Sequence, residues 1–100
     1  MPNSVADFPW DKINIPASGI ARTGSCALHS IIFNGMTVVG DCAIYDGVSN
    51  AGTLIGTLIL RSAVQVSCQP FTMIYDCEME TGIFLEFNNG LVGDFTVTFK

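Results

Sequence analysis

Charge is the scarcest feature of this sequence. Only 13% of its 100 residues are charged, and the four basic ones, Lys12, Arg22, Arg61 and Lys100, are scattered along the chain. Binding nucleic acid through its phosphates needs Lys and Arg gathered on one surface. Nine acids against four bases, a net charge of −5, therefore argue against a nucleic-acid partner. Histidine occurs once, as His29, with no serine or cysteine nucleophile motif beside it, so the constellation of a covalent hydrolase is missing. The four cysteines, Cys26, Cys42, Cys68 and Cys77, include none of the short Cys/His pairs of a structural zinc site. No glycine cluster sits between a strand and a helix, which removes phosphate-cradling loops. Long apolar runs are absent too: the longest, 53–60, falls far short of the roughly 20 residues a spanning helix needs. No enzyme activity, metal, cofactor, nucleic acid or membrane is expected.

What the chain has in quantity is apolar residues, 49% of the total. A domain of this length buries about two-thirds of the surface its unfolded chain exposes, so one core is possible and a second is not. With so little charge, such a domain has trouble covering itself with polar atoms. Burial of some outer surface against partners is the expected remedy. The first twenty residues carry Pro2, Asp7, Pro9, Asp11 and Pro16 where a secretory signal would need an apolar stretch. Synthesis and assembly in a reducing cytosol are expected, with the four cysteines as reduced thiols inside strands.

Residues 1–18 differ from the rest. Three prolines interrupt them, and single large apolar residues, Val5, Phe8, Trp10, Ile13 and Ile15, are scattered between. Proline opposes helix interiors and central strands. The segment reads as an extended N-terminal arm, with Phe8, Trp10, Ile13 and Ile15 as anchors that dock onto a partner and Trp10 as the main one.

From residue 19 to 100, short β-branched and aromatic runs alternate with turn signals, which predicts one all-β domain, an antiparallel β-sandwich of jelly-roll or Greek-key type. The predicted strands are 20–23, 26–33, 37–45, 53–60, 63–68, 72–79, 83–87 and 94–99. Asn34-Gly35, Asp46-Gly47, Thr81-Gly82 and Asn89-Gly90 are the predicted turns. In 72–79, Met73, Tyr75, Cys77 and Met79 share one side, while Ile74, Asp76 and Glu78 share the other and face water. Strands 26–33 and 53–60 do not alternate. Both sides of each are largely apolar, and in a sandwich one face of each sheet is normally wet. A second copy of the chain is the expected cover, with Ile31, Phe33, Ile55 and Ile59 at the interface.

Three other features invite a chemical reading. The row Asp76, Glu78, Glu80 could hold calcium or supply paired carboxylates, but residues two apart on a strand stand roughly 7 Å apart and point in parallel, as a solvated face does. Trp10 could stack on a sugar, although a docking anchor suits its proline-rich surroundings better. Asp41, amid an apolar strand, has no role that its neighbours reveal.

The order of motifs then becomes recognisable. Leu28-His29-Ser30 with Asn34, Ile44-Tyr45-Asp46-Gly47 with Gly52-Thr53, Tyr75-Asp76, Thr81-Gly82 and Asp94-Phe95-Thr96-Val97 follow one another across 19–100. In this the chain resembles a loose group of small phage virion β-sandwich proteins. The resemblance implies a capsid cement or decoration protein, commonly a homotrimer, attached to the major capsid protein or another virion protein and assembled in the host cytoplasm. A head-fibre or tail module binding host-surface carbohydrate is the alternative, with its site in loops 46–52 or 88–93.

Overall fold

The computed structural model describes residues 10–60 and 71–100. The expected strand 63–68 and the arm residues Val5 and Phe8 lie outside the described residues. The described residues form eight strands: β1 (Asp11–Ile15), β2 (Gly19–Thr23), β3 (Cys26–Val38), β4 (Gly40–Asp46), β5 (Thr53–Leu60), β6 (Phe71–Met79), β7 (Gly82–Asn88) and β8 (Val92–Phe99). No helix occurs among the described residues. The strands form two four-stranded sheets, in the orders β1-β8-β3-β6 (sheet A) and β2-β7-β4-β5 (sheet B). Every pairing is antiparallel, and the two sheets pack into a β-sandwich.

The pairing follows one rule. β1 lies on β8, β2 on β7, β3 on β6 and β4 on β5, so the chain is a long ribbon doubled back on itself. Two lateral pairings, β3 with β8 and β4 with β7, join successive lengths of that ribbon within each sheet.

Residues Asp11–Ile15 depart from the expected arm: they form the edge strand of sheet A. Pro16 follows the last residue of this strand and takes no part in its pairing. Ile13 and Ile15 share one parity and face inward, Ile15 being buried in the core. On the outer face, Asn14 and Asn34 each donate an amide hydrogen bond to the Asp94 carboxylate, at 2.8 and 3.0 Å, tying β1 and β3 to β8.

The two strands that read as apolar on both sides each contain a β-bulge. The register of β3 against β8 shifts between Leu28 and Ser30, so Cys26 and Leu28 point inward before the shift, and Ile31 and Phe33 after it. One extra residue exchanges the faces of a strand. In β5 the register against β4 leaves Ile55 unpaired, and Leu60, Leu58 and Ile55 all reach the core despite their mixed parity. Asn34-Gly35 likewise forms a register shift inside β3 rather than a hairpin turn, and the chain stays extended until it crosses to sheet B at Val39. A turn does form at Asn89-Gly90. Both residues have positive φ, 59° and 83°, and the Leu91 N–H bonds the Asn88 carbonyl at 3.3 Å, the geometry of a type I′ turn, which here carries the chain from β7 in sheet B to β8 in sheet A.

The core is a chain of aromatic rings among aliphatic side chains. Phe71, Phe33 and Phe95 of sheet A follow one another at centroid distances of 5.0 and 5.5 Å, and Phe95 meets Phe87 of sheet B edge-on at 5.4 Å. Cys42 is fully buried there, and burial pushes its thiol up to about 12, so it acts as a small apolar residue at ordinary pH.

Asp46 fastens the β6–β7 turn to the end of β4. Its carboxylate accepts the backbone N–H groups of Glu80 and Thr81, both at 2.9 Å, and more weakly that of Gly82. These bonds favour the charged form and hold the carboxyl below its usual range. A depressed folded-state pKa stabilises above the unfolded value near 3.9, and that contribution is lost as pH falls through the folded value. Because the group is partly exposed, solvent screening reduces the effect to about 1 kcal/mol. Asp46→Asn is expected to lower the melting temperature at pH 7 and to leave the melting temperature unchanged at pH 2. Equal losses at both pH values, measured by thermal denaturation, would contradict this account.

Candidate functional site

The outer face of sheet B carries one apolar row across all four strands. By register, Ile20 of β2 lies opposite Phe84 of β7, Phe84 opposite Tyr45 of β4, and Tyr45 opposite Leu54 of β5. The Tyr45 and Phe84 rings stand 6.3 Å apart. The row is open at both ends, where Ile20 is 45% and Leu54 54% exposed, and two rows along β5 lies Ile59 at 59%. An outer sheet face normally alternates to polar residues, and the in-register row here does not.

A fixed polar group borders the row. Glu86 accepts hydrogen bonds from the side chains of Asn50 at 2.8 Å, Asn88 at 3.1 Å and Tyr45 at 3.4 Å. The amide of Asn88, then that of Asn50, hold the Glu86 carboxyl below its ordinary value. Partial burial, and then the neighbouring Glu86 charge, push the Tyr45 phenol up. Tyr45 thus keeps its proton, its hydroxyl directed at Glu86 beside an apolar ring. Asp41, two residues before Ala43 on the same side of β4, accepts the Asn89 amide at 2.5 Å, which gives it a part in holding the β7–β8 turn.

The expected interface residues separate. Ile31 and Phe33 are buried inside the sandwich and offer no side-chain area to a partner of the folded chain. The β3 bulge is the reason, since it turns them inward. Ile55 packs against the core from the bulge of β5, and Ile59 alone of the four stands out in solvent. Among the expected arm anchors, Phe8 lies outside the described residues, Ile15 belongs to the domain's own core, and Ile13 packs against that core.

Trp10 stacks on His29 of its own chain, with rings nearly parallel at 7° and centroids 4.2 Å apart. His29 Nδ1 in turn bonds Asp76 Oδ1 at 2.5 Å. The bulge is what aims these groups: Asp76 takes a left-handed backbone, φ 46°, where β6 carries an extra residue opposite His29. Aspartate tolerates that conformation better than most residues. Glu78 and Asp76 stand on the outer face of sheet A and hold no metal cluster with other His, Cys, Asp or Glu among the described residues.

Comparison with known proteins identifies no relative: no family model, curated protein or solved structure matches the chain. The sequence pattern does not single out Ile20, Phe84, Tyr45 or Leu54, because their alignment depends on the cross-strand register of four segments. The one local signal is that Ala43 and Tyr45 share a side with Asp41, which marks that side as outward.

Proposed function

We propose that this chain is a structural protein of a phage particle, a capsid cement or decoration component, built as a jelly roll and working as a homotrimer. The doubled ribbon, β1 with β8 through β4 with β5, supports the jelly-roll reading, an architecture used by viral capsid and lectin domains alike. Architecture alone does not choose between such roles. The observation that carries the proposal is the apolar row Ile20, Phe84, Tyr45, Leu54 with Ile59 beyond it, on a chain with very little charge.

A standard contact covers about 800 Å² per partner, roughly one-seventh of the chain's 5533 Å² of accessible surface. The outer face of a four-stranded sheet suits that area. Fully burying one large aliphatic side chain contributes about 1.5–3 kcal/mol. Association itself costs at least about 4 kcal/mol, so the row must be buried along its length and not at one end. Contacts of this kind add area across the seams of a shell formed by the major capsid protein, and they require no reaction.

The test is the oligomeric state. Sedimentation velocity at micromolar concentration is expected to give a trimer for the parent, and for Ile20→Lys combined with Leu54→Lys a folded monomer that still melts cooperatively, with its melting temperature lowered only by the lost association. A parent that sediments as a monomer, or a double variant that stays trimeric, removes the sheet B face as the contact. Electron cryomicroscopy of particles carrying the protein is expected to place its density at capsid seams, and density confined to a tail or fibre would overturn the cement role.

A further inference from the structure

A second surface, on the opposite sheet, has different chemistry. A cleft of about 500 Å³ is lined by Trp10, Ser25, Ala27, Asp76, Glu78 and Lys100, among others. Its shape follows from the register. Exposed Ala27 of β3 lies opposite Glu78 of β6, and on its other side exchanges two backbone hydrogen bonds with Lys100 at 3.2 and 2.9 Å. A methyl group between two long side chains leaves a trough. Beyond Ala27 along the same strand, the Trp10–His29 stack closes one end, with Asp76 fixing the imidazole.

We propose that this cleft binds a sugar residue of a glycan, with its ring stacked on the indole of Trp10. A pyranose has an apolar face of C–H bonds and an equatorial belt of hydroxyls, each both donor and acceptor. The cleft supplies a partner for every part. Trp10 is 43% exposed and is held by its stack on His29, so a rigid aromatic surface is already in place. The carboxylates of Asp76 and Glu78 accept from hydroxyl donors, the Lys100 ammonium donates to hydroxyl oxygens, and Ser25 does either. The volume falls within the range of small-ligand sites. The two carboxylates outnumber Lys100 and repel a phosphate, and the mixture of acceptors, a donor and an aromatic face matches the hydroxyls and C–H face of a neutral polyhydroxylated ring. The site is lined by residues of sheet A and its flanking segments, so it does not depend on the sheet B contact surface proposed above.

Trp10 is the only tryptophan in the chain, so intrinsic fluorescence reports on the cleft directly. The full-length protein is screened on an array of bacterial and animal glycans, and the sugars retained are titrated while Trp10 emission is followed. The expected result is saturable quenching or a spectral shift with a Kd in the millimolar range for the monosaccharide. Glu78→Gln is expected to weaken it at least tenfold with the melting temperature unchanged. Trp10→Ala, followed by calorimetry, is expected to abolish it. Absence of binding to any glycan on the array overturns the proposal. So does saturation by choline without saturation by sugars, which would make the cleft an ammonium site, and so does sugar binding that survives both substitutions.

Discussion

Phe95→Ala is expected to remove most of the stability of this domain. Phe95 is fully buried at the middle of the ring series, touching Phe33 within sheet A and Phe87 across the sandwich. Truncating a buried phenylalanine costs about 3–5 kcal/mol, through lost transfer free energy and the cavity left behind. Loss of two favourable ring geometries places the cost toward the upper end. Domains of this kind are stable by only about 5–15 kcal/mol, and in one of about 100 residues each kcal/mol lowers the melting temperature by about 4–8 °C. Thermal denaturation followed by circular dichroism, at one fixed protein concentration because association raises apparent stability, checks the value. Ile74→Ala serves as the comparison. Ile74 stands mostly in solvent on the outer face of β6 and should change stability by no more than about 0.5 kcal/mol. Equal melting temperatures for the two variants would mean that the ring series is not the centre of the core.

The alternation of β6 and β8 was legible in the sequence, because neither strand changes which side its odd residues occupy. Met73, Tyr75, Cys77 and Met79 line the inner side of β6 and Phe95, Val97 and Phe99 that of β8, as their spacing predicts. What could not be read was any event that changes parity. A bulge at His29 looks in sequence like a strand with two apolar faces, and the inference from that pattern to an external partner fails at Ile31 and Phe33 for this reason. The edge strand β1 escaped notice for another reason. Its alternation is only Ile13 and Ile15, too short to stand out between two prolines, and its stability comes from pairing with β8, a segment about eighty residues away. Deleting residues 1–17 would therefore remove the edge strand of sheet A together with its core residue Ile15. The row on sheet B and the cleft on sheet A share this limit. Each is assembled from strands distant in the chain, and only register brings its members together.

The sharpest separation of core from surface comes from one chemical change made at two isoleucines that look equivalent in the sequence. Ile31→Lys places an ammonium between Met73 and Val97, the residues opposite Ile31 on its two neighbouring strands, where the parent side chain has no exposure at all. No carboxylate lies at either position, so the charge must be buried unpaired, or shed by deprotonation, or the strand must open. Each route costs several kcal/mol, and loss of the isoleucine packing adds about 2–5 more. The sum is comparable to the whole stability of the domain, and the variant is expected to be unfolded at 25 °C, with flat thermal scans and dispersed NMR signals lost. Ile59→Lys has the opposite outcome. Ile59 is mostly in solvent and lies directly across from Asp41 on β4, so a lysine there gains an opposite charge as a cross-strand neighbour. That variant is expected to fold with a melting temperature close to that of a monomeric parent, and to lose self-association if the sheet B face is the contact. A folded Ile31→Lys would show that β3 runs in a different register from the one described, with its bulge elsewhere. An unfolded Ile59→Lys would show that the outer side of β5 is part of the core and not a surface at all.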